Sequence, residues 1–305
     1  GGTGKTPMVV ELTRRLTAAG RRPGILSRGY GKGGAAGADS DEALLYAELC
    51  GDLPRVARAD RVEGVRRLVE EGADVVVMDD GLQHRRLARD LDLVLVDATR
   101  PWGLYRGPRA FLPRGLMRES PKALRRAGAI VLTRTDLVTA EALEELELEL
   151  AAWAPGVPRI LTRHAPTGLR TLGDEGEPVA LDALAGRDVT PLSAIGNPAA
   201  FARTLTDLGA RVRDERRLPD HHAYGAEDLA GFAPAARGSG SPLVVTTAKD
   251  AVKLAVLGEA ADGIHVLDMA LEVTRGSDLL DALLAALPDG AAARERAALH
   301  EGLHG

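Results

Sequence analysis

The chain opens on Gly1-Gly2-Thr3-Gly4-Lys5-Thr6-Pro7, and an amphipathic stretch over residues 7–19 follows without a break. This is the back half of the pattern G-x-x-x-x-G-K-[ST]. Its glycines let backbone N–H groups close around phosphate oxygens, and the helix behind them turns its positive end toward the same anion. Lys5 is placed to bridge the β- and γ-phosphates of a nucleoside triphosphate, and the Thr6 hydroxyl to bind Mg²⁺. Such a loop in front of a helix points the chain to the P-loop type of α/β fold. The first glycine of the pattern falls before Gly1 and the chain lacks an initial Met. A preceding segment is therefore expected, and any signal or membrane anchor would lie there.

The rest of the sequence fits that fold. Short, continuous apolar runs at residues 25–27, 75–78, 93–96 and 130–132 have the character of strands buried on both faces. Amphipathic or charged stretches at 7–19, 61–71 and 141–153 alternate with them. Strand and helix in alternation imply a mostly parallel sheet with helices on both faces, of the P-loop NTPase type. Pro155 and Pro158 close the charged helix, and we place a boundary near 160–175. A second, smaller α/β domain is expected beyond it, from apolar runs at 189–195, 243–246 and 264–267 and a helix at 198–208. The expected division is a nucleotide-binding core at 1–165, a smaller domain at 166–288 and an Ala- and Arg-rich tail at 289–305.

Composition removes several function classes. Aromatic residues are 3% of the 305, so the core is aliphatic. The net charge of −5 argues against a nucleic-acid binder, which needs clustered cations. A single cysteine, Cys50, allows neither a disulfide nor a Cys-based zinc site, as suits a reducing compartment. No apolar run reaches the length of a bilayer span. Arginines cluster at 21, 22 and 28, at 85, 86 and 89, and at 106, 109, 114 and 118; most read as solvated faces, and a local basic face among them would suit an anionic substrate or a membrane surface.

The run Val75-Val76-Val77-Met78 ends in Asp79-Asp80. P-loop enzymes place an acid at such a strand end to hold Mg²⁺ or its waters, although strands also end in Asp turns for structural reasons. Taken alone, Asp41 in Asp39-Ser40-Asp41-Glu42 reads as a helix cap, and His84 as a structural histidine. His221-His222 lacks the ligand spacing of a metal site. Lys249-Asp250 reads equally as a surface turn or an interdomain contact. Thr133-Arg134-Thr135-Asp136 follows a strand as a base-reading turn would, without the usual Asn-Lys pair.

Several strings together name a family. They include Gly2-Thr3-Gly4-Lys5-Thr6-Pro7, Ser27-Arg28-Gly29-Tyr30-Gly31, Asp79-Asp80-Gly81-Leu82-Gln83-His84, Leu112-Pro113-Arg114-Gly115 with Arg118-Glu119, Gly196-Asn197-Pro198, Pro219-Asp220-His221-His222, and Thr247-Ala248-Lys249-Asp250-Ala251-Val252-Lys253. With these the chain resembles the tetraacyldisaccharide 4'-kinases of lipid A synthesis over residues 1 to about 270. The resemblance implies transfer of the ATP γ-phosphoryl group to the 4'-hydroxyl of a tetraacyldisaccharide 1-phosphate, with ATP and Mg²⁺ as cofactors. It implies Gly1, Gly2, Thr3, Gly4, Lys5, Thr6 and Pro7 at the nucleotide, and Thr6, Asp79, Asp80 and Glu119 at the metal. It makes Asp41 the base on the acceptor hydroxyl and His221 the histidine that tunes it, with Lys5, Arg61 and Arg118 completing the catalytic set. Arg28, Tyr30, Glu42 and His84 would face the lipid substrate. The implied location is the cytoplasmic face of the inner membrane, with the anchor in the preceding segment and no obligate protein partner. Leu82 stands where the family usually has Phe, and Ser120 where it has Pro; both are packing or turn positions.

Two rivals share the P-loop and the acidic strand end. A GTPase-like switch or metallochaperone acting on a protein partner would prefer guanine, and the absence of Asn-Lys-x-Asp counts against it. A kinase of a soluble sugar would need no apolar groove.

Overall fold

A computed structural model describes residues 3–28, 41–84, 86–103, 119–174, 179–220, 222–229 and 242–290, with only the helical backbone at 41 and 42. In chain order the elements are α1 (Lys5–Ala18), β1 (Pro23–Ser27), α2 (Asp41–Cys50), β2 (Arg55–Ala57), α3 (Arg61–Glu70), β3 (Val75–Met78), β4 (Leu93–Asp97), β5 (Ala129–Thr133), α4 (Ala140–Trp153), β6 (Arg159–Thr171), β7 (Asp188–Ser193), α5 (Pro198–Asp207), β8 (Arg211–Val212), β9 (Arg216–Arg217), β10 (Leu243–Thr247), α6 (Ala248–Leu254), β11 (His265–Arg275) and α7 (Ser277–Ala285). The fold is the mostly parallel α/β type that the strand and helix alternation implies. The residues divide into two compact units, one of 3–36, 49–164 and 271–305, the other of 1–2, 37–48 and 165–270.

In the first unit β2, β1 and β3 form a parallel sheet, with Leu26 paired to Val56 on one side and Met78 on the other. β1 is buried along its whole length, as a strand covered on both faces must be. α3 lies close on one face, because Gly64 has no side chain: a Cβ there would come within 2.5 Å of Leu26 Cδ1. Asp60 starts α3 by accepting from the N–H groups of Val62 and Glu63. α1 packs on β1 and β3. A second parallel set, β4-β5-β6, pairs Leu93–Asp97 with Ala129–Thr133 and then Ile130 with Arg159. Its apolar face, with Ile130 and Leu132, is covered by Leu146 and Leu150 of α4 together with Trp102 and Leu124.

The second unit carries the parallel order β11-β10-β7-β8, with β9 also pairing β7. Adjacent residues of β10 point to opposite faces. Val245 joins Val189, Phe201 and Leu205 on the α5 side, whereas Val244 joins Leu192, Leu254 and Ile264 on the α6 side. Where the sequence placed a boundary, near 160–175, the chain is a single strand of 13 residues, β6, whose two halves fall in different units. Its Pro166 and Gly168 read as breakers in the sequence.

Candidate functional site

Among the described residues, the phosphate-binding loop is represented by Thr3, Gly4, Lys5, Thr6 and Pro7; Gly1 and Gly2 lie outside them. Gly4 is the residue before α1 and holds φ +89°, a left-handed conformation natural to glycine. No side chain caps this helix end. The first turn of N–H groups is therefore directed at whatever anion lies beyond Gly4. Met8 N–H is already used on the Gly4 carbonyl at 3.1 Å, and Pro7 has none, so Lys5 and Thr6 supply the main-chain donors.

The loop is braced from behind by the ends of β5 and β6. The Thr133 hydroxyl, fully buried, donates to the Thr3 carbonyl at 3.0 Å. A Cβ at Gly4 would lie 2.8 Å from His164 Nε2 and 3.3 Å from Thr133 Cγ2, so glycine is required there for space as well as for conformation. Thr135 and Thr162 lace the same strand ends, donating to the Thr162 and Leu132 carbonyls. Next to Thr133, Arg134 holds φ +57° and its guanidinium pairs with buried Asp97 at the end of β4. Asp97 also accepts from the Thr99 N–H and hydroxyl at 3.0 and 2.7 Å. Of this brace, the sequence offered only the turn 133–136; His164 carried no signal, because its contact is with a residue 160 positions away.

His164 is held neutral. Burial, and then the Arg134 charge, pull its pKa down to about 4, with Asp97 pushing weakly the other way. Its buried Nε2 has no hydrogen-bond partner among the described residues. An unfolded histidine takes up its proton near pH 6.5, the folded one only near pH 4. Between these values the unfolded chain binds more protons. Stability is therefore full above about pH 6.5 and is lost as pH falls toward 4. We expect the chain to lose about 2 kcal/mol more between pH 7 and pH 4.5 than the His164→Gln variant does, since glutamine cannot charge. Urea denaturation at the two pH values checks this, and equal losses would remove His164 as the cause.

At the acidic strand end, Asp79 is 4% exposed and its N–H donates to the Leu26 carbonyl at 2.9 Å. Asp80 turns the chain at φ +54°. Thr6 stands at the start of α1 and the two carboxylates directly after β3, on elements that pack together. A hydroxyl and carboxylates are the hard oxygen donors that Mg²⁺ takes alongside water and phosphate oxygens. No cluster of three or more His, Cys, Asp or Glu is present among the described residues.

Arg61 is 4% exposed, and its guanidinium donates at 3.3 Å to the carbonyls of Leu26 and of Asp79, joining the ends of β1 and β3. Glu119 pairs with Arg126 at 2.6 Å. Arg28 is exposed at the end of β1. His84 donates its N–H to Gly81 O at 2.9 Å and its carbonyl accepts from Arg89. Tyr30, Arg118 and His221 lie outside the described residues. Asp41 and Glu42 form the first turn of α2. Residues 37–48 share a unit with 165–270. The α2 segment with Asp41 and the segment with Asp220 and His222 thus belong to one compact body. α2 is tied into it by Arg170 of β6, which pairs with both Glu48 and Asp268, the latter at 3.1 Å.

The family model described as tetraacyldisaccharide-1-P 4'-kinase matches residues 1–288. A tetraacyldisaccharide 4'-kinase of Anaeromyxobacter dehalogenans (strain 2CP-C) is 45% identical over 303 residues, covering 93% of this chain and 78% of that protein. One from Syntrophus aciditrophicus is 37% identical over 312 residues, covering 95% and 82%. Among solved structures, LpxK from Aquifex aeolicus in complex with ATP is similar at a TM-score of 0.62 and 28% identity, over 93% of this chain and 84% of that one.

Proposed function

Because this chain belongs to the tetraacyldisaccharide-1-P 4'-kinase family, we propose a division of labour among its residues for that reaction. The enzyme is a kinase of lipid A biosynthesis that transfers the ATP γ-phosphoryl group to the 4'-hydroxyl of a tetraacyldisaccharide 1-phosphate. The family match over 1–288 carries this reading. The left-handed Gly4 at an uncapped helix start supports it.

In the reaction the acceptor oxygen forms a bond to the γ-phosphorus, the bond to the bridging oxygen breaks, and ADP leaves. The protein's part is to position the two reactants and offset charge on the transferring group. The main chain of Gly1 to Thr6 holds the phosphates. Lys5 meets the non-bridging oxygens, where negative charge concentrates. Thr6, Asp79 and Asp80 would hold Mg²⁺, which would supply positive charge to offset that of the phosphates. Glu119 would join them by sharing or exchanging its pair with Arg126. Asp41 takes the proton of the 4'-hydroxyl, and His221 orients and tunes that carboxylate. Arg118 acts on the phosphates. Arg61, bound to the carbonyls of Leu26 and Asp79, acts through the placement of the acidic strand end. Arg28, Tyr30, Glu42 and His84 serve the lipid side.

Because the acceptor is acylated, the chemistry takes place at a membrane surface, and we assign it to the cytoplasmic face of the inner membrane. No helix among the described residues is long and apolar enough to cross a membrane. The test is transfer of label from γ-labelled ATP to tetraacyldisaccharide 1-phosphate dispersed in detergent with Mg²⁺. Label is expected on the lipid, and is expected to vanish in Lys5→Ala and Asp41→Ala. Release of labelled phosphate without any acceptor, with a preference for GTP, would overturn the reading in favour of a nucleotide switch.

A further inference from the structure

The string Thr247-Ala248-Lys249-Asp250-Ala251-Val252-Lys253 has no part in the chemistry described above, yet it holds the most deeply buried charges among the described residues of its unit. Asp250 is fully buried and Lys253 is 9% exposed, both on α6. Asp250 Oδ2 accepts from the Thr247 hydroxyl at 2.9 Å and from Ala194 N–H at 3.0 Å, tying the start of α6 to the end of β7. The Thr247 hydroxyl in turn accepts from Asp250 N–H at 3.2 Å, a reciprocal cap. Lys253 Nζ lies 3.6 Å from Asp250 Oδ1 and 6.0 Å from the centre of the Tyr224 ring. This burial excludes a surface turn, one of the two readings left open by the sequence.

The cations of α6 reach one short segment. Lys249 Nζ pairs with Asp220 Oδ1 at 3.0 Å, and Lys253 Nζ donates to the His222 carbonyl at 3.4 Å. His222 is fixed a second time through its ring, 2.8 Å from Asp228 Oδ2, and packs edge-on against Tyr224 with ring centres 5.6 Å apart. Asp228 also accepts from Gly225 N–H at 2.9 Å. Upstream, Leu218 N–H donates to the Ser193 carbonyl at 2.9 Å. The residues immediately before and after His221 are thus both held by one helix, at a side chain on one side and a main-chain carbonyl on the other.

Burying an ammonium is costly, and an apolar residue of the same length would pack there without that cost. A lysine at 253 is explained by what its three donors can hold. We propose that Lys249 and Lys253 are positioning residues for His221, with Asp250 as the buried anchor that fixes α6 itself. The inference rests on the assignment of His221 to the catalytic dyad made above. The two lysines act on the histidine through its neighbours, Lys249 by the Asp220 side chain and Lys253 by the His222 carbonyl.

The test is a double-mutant cycle on phosphoryl transfer with His221→Ala, Lys249→Met and Lys253→Met, singly and combined. Lys249 sits at a half-exposed position, so its variant keeps the test independent of core packing. Each lysine variant is expected to lower kcat by about tenfold or more, a conventional threshold for lost orientation, with KM for ATP unchanged within about twofold. In the His221→Ala background neither is expected to lower kcat further, because the residue being positioned is gone. Losses that multiply in that background, or a rise in ATP KM that accounts for them, would reduce the lysines to structural roles and overturn the inference. Full activity of both lysine variants beside an impaired His221→Ala overturns the inference alone. Full activity of His221→Ala removes the dyad assignment, and the inference with it.

Discussion

Replacing Asp41 by asparagine is expected to lower kcat for lipid phosphorylation by about 10²- to 10⁴-fold, the range contributed by a positioned general base, while KM for ATP stays within about twofold. Asparagine keeps the size and one acceptor oxygen of the side chain but cannot take the proton. The alternative role for this residue is structural. Asp41 lies in the first turn of α2, where a carboxylate favours the positive end of the helix by about 0.3–1 kcal/mol. If that were its only role, the substitution would cost a fraction of the protein's stability and nothing in kcat. α2 has other attachments, through Glu48 to Arg170 and so to Asp268, so it should stay in place in the variant. Steady-state kinetics with both substrates varied, beside a thermal melt, separates the outcomes. A fall in kcat with an unchanged melt supports the base. Parallel losses in kcat and ATP affinity would mean that the substitution disturbs binding, and the assignment would fail.

The parts of this protein that could be read from sequence are those whose cause is local. β3 runs from Val75 to Met78, the limits of its apolar run, and α3 and α4 agree with their periodic stretches to within a residue at each end. Gly4-Lys5-Thr6 was legible because a glycine-ended helix start leaves its own signature. β6 was not. Its exposed and half-buried residues 163–167 include a proline, so neither continuous apolarity nor strict alternation marks it. β11 extends eight residues beyond the apolar run ending at Leu267, through Asp268 and Glu272, which pair with Arg170 and Arg163 on β6. Those acids look like loop residues until their arginines are seen.

The site divides in the same way. The residues proposed to meet phosphate form motifs at strand and helix ends. The residues that hold them in place do not, because their partners are distant in the chain: Thr133 on Thr3, His164 on Gly4, Lys253 on His222. The sequence offered a helix capped at Asp41; it could not show that residues 37–48 belong with 165–270.

Asp97→Ala is expected to be among the most destabilising single substitutions in the chain, by about 3–5 kcal/mol, although Asp97 touches neither nucleotide nor lipid in the mechanism above. Its carboxylate is 5% exposed and the residue it pairs with, Arg134, is 9% exposed. Burial pulls the Arg134 pKa below its ordinary value and Asp97 opposes that pull, so the carboxylate is what makes the buried cation tolerable. Removing it leaves a buried guanidinium without that carboxylate, and strips the Thr99 N–H and hydroxyl of their acceptor. The chain cannot easily swing Arg134 outward, because Thr133 beside it is fully buried and bound to Thr3. The double variant Asp97→Leu/Arg134→Met should recover most of the loss, since replacing both members of a buried pair by apolar groups is often neutral. Chemical denaturation of the three proteins decides it: a cost below about 1 kcal/mol for Asp97→Ala would show that the guanidinium finds water or another acceptor, and that the pair does not hold the strand ends. If the cost is large and the double variant recovers it, ATP affinity should recover with it, because the pair reaches the phosphate loop only through the fold of residues 133–135 behind Thr3 and Gly4.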